Sequence, residues 1–163
     1  MNYKIREMQK GDWQRISEIY QQGMDTNLAT FQTDCPAYEE FDQSHMKQCR
    51  FVITDGDIIA GWAALTPVSS RCVYRGVAEV SIYIHDTHRG KGAGSQLLNF
   101  LSVQSEKEGI WTLQSGIMAD NKASIHLHEK CGFRQVGFRE QIGQDRFGQW
   151  RNTVLMERRS NLI

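Results

Sequence analysis

The spacing of hydrophobic residues alternates along the chain between two periods, which predict strands and helices in turn. Short runs rich in β-branched and aromatic residues predict strands. These runs read YKIREM, FVIT, DIIAGWAAL, VAEVSIYI, IWTLQSGIM, FRQVGF and WRNTVLMER. Asp55-Gly56 lies between the second and third runs and is a favoured two-residue turn of a β-hairpin.

Four segments between these strands carry apolar residues at helical spacing. Asp12 is placed to cap the first helix, and Pro36 suits the first turn of the second. The third helix follows a glycine-rich loop. Asp120 or Asn121 caps the fourth, which Gly132 closes. The apolar positions of the first three helices are Trp13, Ile16, Ile19 and Tyr20; Tyr38 and Phe41; and Leu97, Leu98, Leu101 and Val103.

The resulting order is strand, two helices, three strands, helix, strand, helix, two strands. This order predicts a mixed α/β (α+β) fold with about four helices, rather than the strict alternation of a doubly wound parallel sheet. A chain of 163 residues has the size of one ordinary domain. With two prolines, no internal repeat and no low-complexity tract, we expect a single domain over residues 1–163.

Composition limits the partners that this chain is expected to bind. Lys+Arg and Asp+Glu number 19 each, so no overall field recruits nucleic acid or an anionic membrane, and we expect neither partner. The polar N-terminus and the absence of a long apolar run predict neither a signal peptide nor a membrane span. Four widely spaced cysteines predict reduced thiols and a cytoplasmic protein.

The segment HRGKGAGSQLL, residues 88–98, concentrates glycine between a predicted strand and a predicted helix. Backbone N–H groups at a helix N-terminus, together with those of a preceding glycine loop, form a cluster of donors that suits phosphate. Arg89 and Lys91 add formal positive charge. The glycines alone are equally compatible with a tight turn that needs them only for its shape.

Two common phosphate-binding motifs do not fit this loop. The P-loop needs Gly-Lys followed by Ser or Thr, which is absent here. The dinucleotide fingerprint G-x-G-x-x-G also fails, because the spacing is G-x-G-x-G and no acidic strand end follows at the expected distance.

The segment RGKGAG instead resembles the [RQ]-x-x-G-x-[GA] motif of the GNAT N-acetyltransferases, and MADNKASIHLHEKCGF resembles that family's second conserved element. ATFQTDCP, GWAALTPVSSRCVYRGVAEVSIYI and LHEKCGFRQVG narrow the resemblance to the phosphinothricin and methionine sulfoximine (sulfone) acetyltransferase branch. It extends from Tyr3 to about Glu157. It implies the GNAT fold, a central mixed but mostly antiparallel sheet flanked by about four helices, and commonly a homodimer.

The resemblance implies an enzyme that moves an acetyl group from acetyl-CoA to the amine of a small amino-acid-like acceptor, by direct attack in a ternary complex. It assigns the pyrophosphate of acetyl-CoA to the loop and the thioester carbonyl to backbone of the preceding strand. Asn121 and Ser124 would lie near the pantetheine arm, although both also suit helix capping. The implied cofactor residues are Ile82, Tyr83, Ile84, Arg89, Gly90, Lys91, Gly92, Ala93, Gly94, Asn121 and Ser124.

Two residues are candidates for the proton transfers of such a reaction. Alternation along VAEVSIYI puts Ala78 and Val80 on one face and Glu79 on the other, so Glu79 is a carboxylate inside an otherwise central strand. A glutamate here is a proposed general base in the resembled branch, and an ion pair or a strand end is the alternative. His128 stands where the wider family has tyrosine, and it either orients the carboxylate or protonates the leaving thiolate.

For the acceptor, the resemblance points to Phe31, Trp62 and the turn Arg75-Gly76-Val77. A guanidinium can hold the carboxylate of an amino-acid analogue by two hydrogen bonds. The alternatives are a solvated arginine and core aromatics.

We expect no metal, because neither H-E-x-x-H nor a Cys/His cluster occurs. The remaining functional alternatives are acetylation of a protein N-terminus, a lysine or another small amine, and a non-catalytic acyl-CoA sensor.

Overall fold

A computed structural model describes residues 2–163, which form a mixed α/β fold around one seven-stranded sheet. The strands are β1 Tyr3–Glu7, β2 Phe51–Asp55, β3 Ile58–Pro67, β4 Val77–Ile84, β5 Thr112–Met118, β6 Arg134–Gln144 and β7 Trp150–Arg159. The helices are α1 Trp13–Asp25, α2 Tyr38–Ser44, α3 Ala93–Lys107 and α4 Lys122–Lys130. The predicted order of elements and the predicted fold class are confirmed.

The sheet is antiparallel except at one junction. Its strand order is β1-β2-β3-β4-β5-β7-β6, and only β4 and β5 pair in parallel. In the β2–β3 hairpin Asp55 pairs with Ile58, so the two turn residues are Gly56 and Asp57, one position later than predicted. Gly56 supplies the positive φ, +60°, that the turn requires.

The starts of two helices differ in detail from the sequence prediction. Asp12 occupies the N-cap position of α1, as predicted, but its side chain makes no capping bond, because a short 3-10 turn precedes the helix and the carboxylate accepts from Arg6 and from the Gln9 amide at 2.8 Å. The hydrogen bond from Arg6 lowers the pKa of Asp12. Pro36 precedes the N-cap Ala37 and therefore lies just outside α2 rather than in its first turn.

Two apolar clusters cover the two faces of the sheet. One cluster lies under α3 and α4 and contains Ala78, Val80 and the α3 residues Leu97, Leu98 and Leu101. The other lies under α1 and α2 and includes Trp62, with Tyr83 packed against it. The predicted alternation of β4 is therefore confirmed. Val103 of α3 points away from the core and is exposed.

The strands β4 and β5 separate after a short parallel contact. Only Val77–Glu79 pairs with Thr112–Gln114, although β4 continues to Ile84 and β5 to Met118. Each strand remains paired on its other side, with β3 and β7. The sheet is consequently split by a gap between the carboxyl-terminal ends of two parallel strands.

Candidate active site

The glycines between β4 and the first turn of α3 are needed for different structural reasons. Gly90 and Gly92 have φ of +73° and +87°, a region that disfavours side chains. Gly94 lies in the first turn of α3, where a Cβ would come within 3.2 Å of Leu127 and 3.7 Å of Ile84. Two glycines therefore shape the loop, and the third allows α3 to lie close to α4 and to the end of β4.

The start of α3 offers backbone donors that no intrahelical acceptor occupies. Gly92 occupies the N-cap position of α3, and its carbonyl accepts the first helical hydrogen bond, from Gln96. Helix geometry leaves the amides of Ala93, Gly94 and Ser95 without intrahelical acceptors, and glycine has no side chain to cap them. A diphosphate fits such a cradle because the left-handed glycines keep side chains out of it.

Two cations flank these amides. The Lys91 ammonium donates to the Thr87 carbonyl at 2.8 Å, and Arg89 Nε donates to the Ile84 carbonyl at 3.3 Å. Both side chains are exposed and lie on the loop itself. The loop thus combines formal positive charge with the partial positive charge of a helix N-terminus.

The backbone of Ile82, Tyr83 and Ile84 forms the β4 side of the gap, beyond the last contact with β5. The Tyr83 ring lies on the α1 side, stacked on Trp62 at 5.1 Å between ring centroids. Burial raises the pKa of the Tyr83 hydroxyl, so that this group stays protonated. An extended molecule lying in the gap would have free backbone groups of β4 along its length.

Glu79 is half-buried at the point where the two strands part. Its Oε1 accepts a hydrogen bond from Gln114 Nε2 at 3.4 Å, and Gln114 is the residue that pairs with it across the strands. Glu79 and Tyr83 share one face of β4, so the carboxylate lies on the face opposite α3. Gln114 was not singled out in the sequence, because only the parallel register brings it to Glu79.

His128 is 1% exposed and lies on the inner side of α4. Its Nδ1 lies 2.7 Å from the Ser124 carbonyl, so Nδ1 carries the proton of the neutral ring and Nε2 is the bare acceptor. Nε2 is buried and has no hydrogen-bond partner among residues 2–163. Desolvation by burial lowers the pKa of His128, partly offset by the bond to Ser124. The partner of Glu79 is therefore Gln114, and that of His128 is Ser124.

Asn121 and Ser124 occupy the first turn of α4. The Asn121 side chain accepts from the Ser124 amide at 3.3 Å and caps the helix, as one of the two sequence alternatives predicted. Its Nδ2 also donates to the Leu28 carbonyl at 3.2 Å. Asn121 thus connects α4 to the loop that follows α1.

The turn Arg75-Gly76-Val77 leads directly into Glu79. The Gly76 carbonyl accepts from the amides of Trp111 and Thr112, and a Cβ on Gly76 would lie 2.0 Å from the Trp111 ring. The exposed Arg75 guanidinium lies 5.5 Å from that ring. This glycine is therefore required where β4 and β5 first meet, and it leaves Arg75 facing solvent.

The other two predicted acceptor residues lie elsewhere. Trp62 is fully buried between Tyr20, Phe41 and Tyr83, so it reaches a bound molecule only through its neighbours. Phe31 lies in the loop of residues 26–34, which we call the acceptor loop. Its half-exposed ring packs on Gly143, where a Cβ would approach to 3.2 Å.

Among residues 2–163, no group of three or more His, Cys, Asp or Glu side chains is arranged to hold a metal ion. Within the same residues, none of the helices combines the length and the apolar character that a membrane span requires. The four cysteines are free.

Comparison with known proteins identifies the family. The model of the Acetyltransferase (GNAT) family matches residues 8–133, which is more than half of the chain. The chain therefore belongs to the Acetyltransferase (GNAT) family, and the resemblance found in the sequence is confirmed.

Individual relatives refine this assignment. Over 84 residues, or 52% of this chain and 48% of the relative, it is 39% identical to the L-methionine sulfoximine/L-methionine sulfone acetyltransferase of Pseudomonas aeruginosa. It thus spans about half the length of that relative. It is 32% identical to the phosphinothricin N-acetyltransferase of Alcaligenes faecalis, covering 96% of this chain and 82% of the relative.

Among solved structures, a GNAT superfamily phosphinothricin acetyltransferase from Sinorhizobium meliloti in complex with AcCoA superposes with a TM-score of 0.88. It is 28% identical, covering 98% of this chain and 89% of that one. The Salmonella typhimurium protein yncA, solved with its cofactor acetyl-CoA, also gives 0.88 at 26% identity, covering 99% and 95%. The mostly antiparallel GNAT fold that the sequence predicted is thus confirmed.

The buried ring of His128 leads to a prediction about its titration. We expect long-range ¹H–¹⁵N spectra to show an Nδ1-protonated ring that stays neutral below the ordinary histidine pKa of about 6.5. Because the unfolded chain takes up this proton more readily, the stabilising contribution of His128 decreases as pH falls below that value. His128→Gln identifies the signal. An Nε2-protonated ring, or one that titrates at the ordinary pKa, would contradict the geometry.

Proposed function

We propose that this protein is an acetyl-CoA-dependent N-acetyltransferase for small amino-acid-like amines of the phosphinothricin, methionine sulfoximine or methionine sulfone type. Transfer is by direct attack of the amine on the thioester in a ternary complex. One observation carries the proposal: the free amides of α3 and the half-buried Glu79 adjoin the same gap between β4 and β5. The names of the relatives support the acceptor class.

In this proposal acetyl-CoA supplies an activated acyl thioester. The amides around Gly92 and the cations Arg89 and Lys91 bind its diphosphate. The extended arm lies in the gap beside Ile82–Ile84, where an unpaired strand edge offers backbone donors and acceptors. Asn121 and Ser124 border the same gap from the start of α4. Each of these groups is already held by its own local contacts.

The acceptor amine is largely protonated at neutral pH, so a base is needed before it can attack. Glu79 takes this proton directly or through a water molecule. The attack forms the N–C bond, collapse of the tetrahedral intermediate breaks the C–S bond, and coenzyme A leaves as a thiolate while the nitrogen gives up its second proton. Gln114 orients Glu79. We therefore assign His128 to the protonation of the leaving thiolate. The ring is neutral with a bare Nε2, so Nε2 takes up the second proton of the nitrogen and passes it to the thiolate, which returns the ring to its neutral form.

A compact site favours a small acceptor over a peptide. The acceptor loop reaches from Tyr83, whose hydroxyl Thr30 approaches, to Gly143, which contacts Phe31. It thus crosses the end of the gap, where a peptide would need an open groove. We assign Phe31 and the Arg75-Gly76-Val77 turn to the acceptor, with Arg75 as the group for its carboxylate. A non-catalytic sensor would need neither Glu79 nor His128.

We also propose a cytoplasmic homodimer. Free thiols suit a reducing compartment. The edge strand β6 is exposed along most of its length, with Val136, Phe138 and Ile142 44–55% exposed. Edge strands of this kind offer backbone groups and apolar side chains to a second copy.

Light scattering is expected to give a dimer, and Phe138→Asp is expected to give a monomer because it places a charge on that edge. Val103→Asp, at an equally exposed apolar position of α3, is expected to remain dimeric. A monomeric wild-type protein contradicts this part of the proposal.

Gly92→Glu tests the anion cradle. We expect coenzyme A affinity to fall by about a hundredfold or more, because a carboxylate replaces free space beside the donor amides. Gly109→Glu is the matched control: Gly109 has φ of +80°, carries the same backbone strain and lies at the other end of α3. Calorimetric titration should show a normal affinity for the control. Equal affinities for both variants would exclude the loop as the diphosphate site.

The acceptor class is tested by thiol release. Methionine sulfone, methionine sulfoximine and phosphinothricin are compared with peptides that carry a free N-terminus or a lysine. We expect turnover with the analogues, and Glu79→Gln should reduce it by about two or more powers of ten at unchanged coenzyme A affinity. Glu140→Gln, an exposed acid of β6, should leave it unchanged. Preference for peptides overturns the acceptor class, and full activity of Glu79→Gln overturns the assigned base.

A further inference from the structure

The acceptor loop is held at both ends of its path across the gap. On the β4 side Thr30 lies close enough to the Tyr83 hydroxyl to lower its pKa slightly against the effect of burial. On the far side Asn121 donates to the Leu28 carbonyl, and Phe31 packs on Gly143 of β6. Because β4 and β5 are parallel, these contacts gather at one end of the sheet, where both strands terminate. The loop therefore depends on the β6–β7 hairpin for its position.

A buried carboxylate, Asp145, holds the acceptor loop on the side away from β4. Its side chain is 1% exposed and lies in the β6–β7 turn. Oδ1 accepts from the amides of Phe147 and Gln149 at 2.9 and 3.0 Å, which fixes the turn. Oδ2 accepts from Asn27 Nδ2 at 3.0 Å and from Arg151 Nη1 at 3.2 Å. Oδ1 thus holds the β6–β7 turn, while Oδ2 joins the acceptor loop to Arg151 of β7.

Arg151 extends this anchor to two further segments. Its Nη1 also donates to the Asn27 carbonyl at 2.8 Å, and its Nη2 donates to both carboxylate oxygens of Asp120 at 2.9 and 3.1 Å. The guanidinium therefore joins the acceptor loop, the hairpin and the turn before α4. Its side chain is 12% exposed. Charge-assisted hydrogen bonds of this kind are the stronger ones in proteins.

The backbone of Asn27 shows why the anchor lies at this residue. Asn27 has φ of +57°, a left-handed conformation that asparagine tolerates better than most residues. This conformation turns the chain out of α1 and into the acceptor loop. Both polar groups of Asn27, the side-chain amide and the backbone carbonyl, are bonded to the Asp145–Arg151 pair. The first turn of the loop is therefore fixed by two residues more than a hundred positions away in sequence.

We infer that Asp145 is a positioning residue for acceptor binding, which acts through Asn27 and Arg151 on the loop that carries Thr30 and Phe31. This inference rests on the proposed function, because it assumes that the acceptor binds beneath this loop. The hydrogen bond from Asn27, together with those from Gln149, Phe147 and Arg151, lowers the pKa of Asp145 to about 2. The anchor is therefore fully charged at neutral pH.

Asp145→Asn is expected to keep the contacts of Oδ1 and to break those of Oδ2. The amide oxygen can still accept from the turn amides, whereas the amide NH₂ would face two donors, Asn27 Nδ2 and Arg151 Nη1. Arg151 keeps its bonds to Asp120, so the cofactor side of the gap is preserved. We expect the KM for the acceptor to rise about tenfold, with kcat and coenzyme A affinity changed less than twofold.

A double variant in which the two side chains are swapped tests whether the acceptor KM can be restored. Combining Asn27→Asp with Asp145→Asn restores one donor and one acceptor across the contact, and it should return the acceptor KM to within about threefold of the wild type. Glu157→Gln is the matched control, because Glu157 is an ion-paired acid of the same hairpin that bonds to Arg134 away from the loop. It should leave the KM unchanged.

Hydrogen exchange in the free protein provides a readout that needs no turnover. Asp145→Asn should speed exchange of the acceptor-loop amides, 26–34, while β2 and β3 keep their protection. An unchanged acceptor KM overturns the inference. A raised KM that the double variant Asn27→Asp/Asp145→Asn does not restore also overturns it. If no amino-acid analogue is acetylated by the wild type, the proposed function fails. In that case unchanged exchange in the loop overturns the anchor, and faster exchange supports it.

Discussion

The separation of β4 and β5 after Glu79 is the constraint on which the rest of this structure depends. Two parallel strands that stay paired would bury their facing N–H and C=O groups in a ladder. Here three residue pairs form, and the strands then diverge. Each strand remains fixed by its other neighbour, β3 or β7, so the gap is built into a well-paired sheet. A rigid opening at strand ends is a common location for ligands in α/β proteins.

The groups that border this gap have different chemistry on its different sides. The glycine loop brings helix amides and two cations to the end of β4, which suits an anion. Glu79 lies at the base of the gap on the opposite face from α3, held by Gln114. The acceptor loop crosses the outer end and is fastened by Asp145 and Arg151. Under the proposed function, an anionic, extended cosubstrate and a small amine approach one point from different directions.

Sequence patterns predicted what is determined locally. Alternation in VAEVSIYI gave both faces of β4, and the spacing of glycines predicted the loop before α3. Long-range pairing was not accessible in this way. Gln114 meets Glu79 only because of the parallel register, and Trp62 is enclosed by aromatic residues from α1, α2 and β4. The predicted side-chain cap of α1 by Asp12 was also not found, because the carboxylate pairs with Arg6 instead.

We propose that one cosubstrate binds along the gap with its diphosphate on the amides at the start of α3. A crystal structure of the protein with coenzyme A would show whether it does. We expect phosphate oxygens within hydrogen-bonding distance of the backbone between Lys91 and Ser95, and a pantetheine arm between β4 and β5. Coenzyme A bound elsewhere, with the glycine loop unoccupied in the same crystal, would contradict it.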